Sequence, residues 1–183
     1  MKIIKMKTLK TNRISLIPLN QEQLEVLKDG MPALAEYMNL KCEEFRLNTD
    51  ESFLQQFYEM IDTYFLTKIN ETPANIEWLT QRIIVENKDK HIIGGIGTSG
   101  MPNENGEVMI GYFIADGYEG YGYASEAVKT LVDDLRERLP GVKSIVADTP
   151  MEHIASQRVL SKNGFEFVGI TEEGYRWRIV VSV

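Results

Sequence analysis

Apolar and polar positions change period several times along the chain, and the changes divide it into elements. Over residues 13–19 (Arg-Ile-Ser-Leu-Ile-Pro-Leu) they roughly alternate, which predicts a first strand with Pro18 near its end or on a sheet edge. Asn20 followed three residues on by Gln23 is a capping box and predicts a helix running to about Asp29-Gly30, where glycine stops it. Pro32 suits the start of a second helical stretch through Met38. Thr49 and Asp50 are caps for a longer helix, whose apolar stripe is Phe53, Phe57, Met60, Ile61, Tyr64 and Phe65. That aromatic stripe reads first as core packing; the second reading is that part of it walls a substrate cleft. Residues 71–75 read as a loop, 78–85 as a strand, 87–90 as a polar turn and 91–97 as the antiparallel partner. Gly94, Gly95, Gly97 and Gly100 read as bulges or close packing, because no helix follows them. A second turn over residues 102–106 leads into an apolar strand at 107–114, completing a three-stranded meander.

The sharpest change of period comes next. After the run Ile110-Gly111-Tyr112-Phe113-Ile114, three glycines fall within six positions, at 117, 120 and 122. Then Ala124, Ala127, Val128, Leu131, Val132 and Leu135 occupy one face of a helix, and Lys129, Asp133, Asp134, Arg136 and Glu137 the other. A glycine turn lets a ligand approach the backbone, and the first N–H groups of the helix lack internal partners at the positive end of its dipole. Together they make an anion site, most naturally for phosphate. The spacing G-x-x-G-x-G is neither a dinucleotide fingerprint nor a Walker loop, and ordinary turn chemistry is the competing explanation. Pro140-Gly141 ends the segment and residues 144–147 form a short buried strand, so strand–helix–strand demands a right-handed parallel crossover. A compact helix over about 154–163, closed by Gly164, precedes an antiparallel pair at 165–170 and 176–181. The fold class is α/β, a mostly antiparallel sheet with one parallel step at the glycine turn, in a single domain covering residues 1–183.

Composition narrows this picture. With 183 residues, 43% of them apolar and 26% charged, the chain has ordinary globular composition and is long enough for a proper core. A net charge of −7, with no Lys/Arg-dense patch beyond the first ten residues, argues against general nucleic-acid or anionic-membrane binding. One cysteine, Cys42, precludes an internal disulfide and a cysteine zinc site, and His91 and His153 form no ligand cluster, so no metal is expected. The basic start, residues 1–7, lacks the apolar run of a signal peptide, and the expected location is the cytoplasm.

Two motifs occur in order. Glu119-Gly120-Tyr121-Gly122-Tyr123-Ala124 resembles the Q/R-x-x-G-x-G/A signature of the GNAT superfamily of N-acetyltransferases. The segment 153–165, with Ser156, Lys162, Gly164 and Phe165, resembles that superfamily's N-x-x-S…K-x-G-F helix. Residues 9–16 look like the first strand of its RimJ/RimL-like branch, and Gly111-Tyr112-Phe113-Ile114 like its G-Y-[WF]-[IL] strand. Two positions depart from the pattern. Glu119 stands where Gln or Arg is preferred, and His153 where the branch has an Asn that bonds the pantetheine arm; an imidazole can donate one such bond.

The resemblance implies a GNAT-like sheet with a splayed parallel pair. It also implies acetyl-coenzyme A as co-substrate and an amine acceptor, either a protein N-terminus or a small molecule, that attacks directly in a ternary complex. Cofactor-binding positions carried over are Tyr112, Phe113, Ile114, Glu119, Gly120, Tyr121, Gly122, Tyr123, Ala124, Ser125, His153 and Ser156. A strand N–H near residues 112–114 would polarise the thioester carbonyl. The catalytic candidates are Glu107 for proton removal and Ser156 toward the leaving sulfur. The family's acid sits nearer the G-Y pair, where this chain has Met109, and Leu160 stands near the position of the usual tyrosine acid. Residues 107 and 109 share a strand face, so Glu107 would act from one step back; its plain reading is a solvated hairpin-end residue. The rival function is a non-catalytic acyl-coenzyme A-binding module. A homodimer is left open.

Overall fold

The computed structural model describes residues 6–138 and 141–181, with the side chain of Arg138 not included. The first residues of the basic start and Pro140 of the expected helix stop lie outside this range. The elements are β1 (Leu9–Lys10), β2 (Ile14–Pro18), α1 (Gln21–Leu27), α2 (Met31–Met38), α3 (Ser52–Met60) running into a π-helical turn (Ile61–Leu66) and α4 (Thr67–Glu71), a 3-10 turn (Pro73–Asn75), α5 (Ile76–Leu79), β3 (Gln81–Glu86), β4 (Ile92–Thr98), β5 (Glu107–Ile114), α6 (Tyr123–Arg138), β6 (Ser144–Thr149), α7 (Ile154–Lys162), β7 (Glu166–Thr171) and β8 (Gly174–Val180).

Local chemistry explains most of these boundaries. Asn20 accepts from the Gln23 N–H (2.8 Å) while Gln23 Oε1 accepts from the Asn20 N–H (2.9 Å), the reciprocal box expected at α1. Gly30, at φ 104°, ends one helix and opens the next, with Pro32 in the first turn of α2. The Asp50 carboxylate accepts from the Ser52 N–H (2.8 Å) and so satisfies the start of α3. Two expectations are corrected. The loop expected at 71–75 is a 3-10 turn between two short helices, and the strand expected from Trp78 begins at Gln81, because residues 76–79 close one more helical turn. Thr80 marks the switch: it is extended (φ −75°, ψ 148°) and its hydroxyl donates to the Leu19 carbonyl (2.5 Å).

The eight strands form one sheet in the order β1-β2-β3-β4-β5-β6-β8-β7. Every pairing is antiparallel except β5 with β6, which matches Glu107 to Ser144, Val108 to Ile145 and Met109 to Val146. Each sheet face buries its own core. Against α6 and α7 lie Ile14, Leu16, Ile84, Ile96, Val108, Ile110 and Ile145, packed on Ala127, Val128, Leu131, Leu135 and Leu160. On the other face Leu19, Ile83, Val85 and Ile92 meet Leu24, Leu27, Leu34, Ile61, Phe65 and Ile69. The aromatic stripe is core only in part: Ile61 and Phe65 are buried and Phe57 packs half-buried against them, whereas Phe53, Met60 and Tyr64 stay exposed. Among the described residues no helix is long and apolar enough to cross a membrane.

The glycines of β4 are close-packing residues. A Cβ on Gly94 would stand 2.3 Å from the Phe113 carbonyl oxygen, and one on Gly95 2.7 Å from the Phe113 ring. Beside them the β3–β4 register shifts between Ile84 and Val85, the bulge anticipated for this strand. On the opposite face, Tyr112 pins α7 to β5: its hydroxyl lies 2.8 Å from Ser156 Oγ and donates to the Ser156 carbonyl (3.2 Å). Burial pushes the Tyr112 phenol up to about 12, against a smaller lowering from the bond to Ser156.

Two stability predictions result. Gly94→Ala gains about 0.4–1 kcal/mol from a less flexible unfolded chain. It loses about 1–3 kcal/mol by overpacking against a strand backbone, so net destabilisation in urea unfolding is expected; equal or greater stability refutes the packing role. Tyr112 stays protonated in the folded chain between pH 10 and about 12, where the unfolded chain ionises. Its contribution is therefore complete below pH 10 and is lost as pH rises toward 12. Tyr112→Phe should flatten the fall in unfolding free energy measured from pH 9 to 11; an unaltered slope would contradict the assignment.

Candidate functional site

The site begins where the β5–β6 ladder stops. β5 continues to pair with β4 as far as Ile114, but its parallel partners end at Met109. At the two ends of β5 the Met109 carbonyl accepts from Ser99 N–H and the Ala115 N–H donates to Ile93, both toward β4. By the alternation of the ladder, the odd-numbered residues face β4, so the Met109–Val146 match is closed by Val108 and Ile110, and the backbone groups of Tyr112 and Ile114 face the β6 side past it. Beyond Met109 nothing in the sheet pairs with them. The Phe113 backbone is therefore committed to β4, and its side chain goes to the other face, ringed edge-on by Phe57, Phe53 and Phe45 at 5.0, 5.9 and 6.1 Å.

The turn into α6 stands at the open end of this gap. Gly117, Gly120 and Gly122 have φ of 83°, 79° and 84°, the left-handed region in which side chains are strained. The first intrahelical bond of α6 runs from Glu126 N–H to the Gly122 carbonyl (3.0 Å), so the amides of Tyr123, Ala124 and Ser125 precede the helical ladder. Tyr121 is exposed, Tyr123 is half-buried, and their rings lie 6.2 Å apart. Asn163, at the end of α7, donates to Ser125 Oγ (3.0 Å) and ties the two helices together there. Glu119 is exposed and accepts from Asn48 Nδ2 (3.4 Å). A helix N-terminus and a row of free amides beside an unpaired strand edge can hold an extended ligand that ends in phosphate.

The remaining candidates are spread out. Ser156 reaches the α7 side of the gap through its contact with Tyr112, a pairing that the sequence spacing did not reveal. His153 is the exposed residue capping α7, and its side chain makes no capping bond. Glu107 shares the Met109 face but lies at the paired end of β5, where Arg178 donates to its Oε2 through Nε (3.1 Å). Beside it Arg176 grips Asp148 with two bonds, of 2.8 and 2.7 Å. Among the described residues no cluster of three His, Cys, Asp or Glu side chains could hold a metal ion. Surface depressions lined by Lys28, Tyr58 and Asp62, and by Gln56, Met60 and Thr63, lie on the α3 side, and no residue of the glycine turn lines either.

Comparison with known proteins agrees with this geometry. The description of the acetyltransferase (GNAT) domain matches residues 13–166. The uncharacterized N-acetyltransferase YjdG of Bacillus subtilis is 33% identical over 128 residues, covering 69% of this chain and 73% of that protein. The uncharacterized N-acetyltransferase p20 of Bacillus licheniformis is 31% identical over 170 residues, 92% of this chain and 87% of that one. Among solved structures, RimL, a ribosomal alpha-N-protein acetyltransferase in complex with coenzyme A, shares the fold at a TM-score of 0.61 and 11% identity, covering 96% of this chain and 98% of that one. A domain match across most of the chain, set on a splayed parallel strand pair and its glycine turn, makes this protein an N-acetyltransferase of the GNAT family.

Proposed function

We propose that the chain transfers an acetyl group from acetyl-coenzyme A to a primary amine, by direct attack within a ternary complex. The observation that carries this reading is the coincidence of two unpaired backbone surfaces: the β5 edge beyond Met109, and the amides of the left-handed glycine turn entering α6. The pyrophosphate rests on the amides of Gly120, Tyr121, Gly122, Tyr123, Ala124 and Ser125, flanked by Glu119. The pantetheine arm lies along Tyr112 and Ile114, with Phe113 behind it as the aromatic wall toward the acceptor and His153 at the far helix. The complex of RimL with coenzyme A supports such a cofactor on this fold.

In the transfer, the neutral amine nitrogen forms a bond to the acetyl carbon, the carbon–sulfur bond breaks, and coenzyme A leaves as a thiolate that takes up the proton the nitrogen sheds as the amide forms. A β5 N–H facing the gap stabilises the oxyanion. A lysine-like amine is about 99.9% protonated at pH 7, so freeing its lone pair costs roughly 4–5 kcal/mol, whereas a peptide α-amine of pKa ~8 faces far less. Glu107 takes this proton through water along the Met109 face, and Ser156, braced by Tyr112, meets the leaving sulfur. The acceptor is a protein N-terminus or a small-molecule amine; the alpha-N-protein acetylation named for RimL favours the former.

Free thiol released from acetyl-coenzyme A, measured across a panel of N-terminal peptides, polyamines and amino acids, tests the reading. Release with at least one amine is expected. Binding of the cofactor without release by any amine would instead establish an acyl-coenzyme A-binding module. Gly122→Val puts a branched side chain at φ 84° and should abolish coenzyme A binding in calorimetry while the far-UV circular dichroism stays native. Wild-type affinity in that variant would refute the phosphate-loop assignment.

A further inference from the structure

Arg13 lies more than a hundred residues from the glycine turn, at the entrance to β2, yet it is wired into that turn. Its Nη1 donates to the Tyr121 carbonyl (2.9 Å), its Nε and Nη2 meet Glu126 Oε2 at 2.7 and 2.5 Å, and its guanidinium carbon sits 4.8 Å from the centre of the Tyr123 ring. Thr11 donates to the other Glu126 oxygen. Both oxygens of a carboxylate in the first turn of α6 are thereby occupied from the β1–β2 hairpin.

Two physical consequences follow from this clasp. A carboxylate in the first turn of a helix interacts well with the helix dipole, but it competes with an anionic ligand for the same positive end. Left without its counter-charge, Glu126 would repel phosphate; paired with a guanidinium and a hydroxyl, it adds little net field. The second consequence is geometric. In a trans peptide the carbonyl and the following N–H point in opposite directions. Holding the Tyr121 carbonyl on Arg13 therefore aims the Gly122 N–H away from the hairpin, and the positive φ of Gly122 allows the chain to turn straight into α6.

We infer that Arg13 is a positioning residue for the co-substrate, acting by neutralising Glu126 and by orienting the Tyr121–Gly122 peptide toward a bound phosphate. The inference rests on the coenzyme A reading above and assigns the anion loop's charge balance to one long-range pair. It predicts coupling between Arg13 and Glu126 in ligand affinity, which a merely structural ion pair would not produce.

Calorimetric titration of coenzyme A into wild type, Arg13→Met, Glu126→Gln and the double variant measures this coupling. Arg13→Met should weaken binding at least about tenfold, and adding Glu126→Gln should recover at least about threefold, because the exposed carboxylate is gone while the peptide clasp stays lost. Arg13→Met within about twofold of wild type, or a double variant as weak as Arg13→Met, overturns the inference. If Arg13→Met does not fold, Arg13→Lys and Glu126→Gln decide it. The lysine keeps the charge and should bind more weakly than wild type, and Glu126→Gln should bind no more weakly. A tenfold loss in Glu126→Gln, or full affinity in Arg13→Lys, counts against the inference. Absence of coenzyme A binding by the wild type is a separate outcome, in which the co-substrate reading itself fails.

Discussion

The architecture depends on a strand that changes partners along its length and keeps only one of them at its far end. β5 pairs with β4 over Ile110–Ile114 and with β6 only over Glu107–Met109, so its two partners take successive halves of the strand. A buried backbone amide or carbonyl without a partner costs about 1–3 kcal/mol, so a gap of this kind persists only where water or a ligand can reach it. The same strand leads directly into the glycine turn, so the open edge and the free helix amides arise from one continuous stretch, residues 107–125. A strand–turn–helix unit that obeys the right-handed crossover rule leaves both surfaces at the same end of the sheet. Incomplete pairing is thus the source of the proposed binding surface.

The two faces of the sheet are built differently. The α6 face is regular: one long amphipathic helix and α7 cover an apolar surface of alternating residues. The opposite face is covered by short helices and a π-helical turn over Ile61–Leu66, which turns Ile61, Phe65 and Leu66 inward. An extra residue in a helical turn shifts every later side chain around the axis, and such turns concentrate where surfaces are shaped for ligands. Phe113 connects the halves. Its backbone belongs to the β4–β5 ladder, and its ring enters the aromatic cluster of Phe45, Phe53 and Phe57.

What was legible in the sequence was what local rules control. The capping box at Asn20 and Gln23, the meander, the glycine turn, the parallel crossover and the Gly164 stop (φ 83°) all follow from turn chemistry and periodicity. Residues 71–80 were misread because Trp78 and Leu79 carry strand-like apolar bulk, while the helical turns they join are held by Pro73 and by Thr80's bond to Leu19. The site was half legible for a related reason. Backbone amides announce themselves through glycine spacing, but side-chain partners far apart in the chain do not: Arg178 with Glu107, Tyr112 with Ser156 and Arg13 with Glu126 exist only once the sheet has formed.

Charge gives a last constraint on how the two halves coexist. The chain carries a net charge of −7, an unfavourable long-range field for a polyanionic co-substrate. That field is screened within about 8–10 Å at physiological salt, whereas amide dipoles act at contact distance. An acidic protein can therefore hold a phosphate through oriented N–H groups, provided that acidic side chains at the contact are individually satisfied. Glu126 meets that condition through Arg13 and Thr11. In the proposed transfer the remaining acidity would favour the approach of an amine, which arrives as a cation and must lose its proton before it attacks.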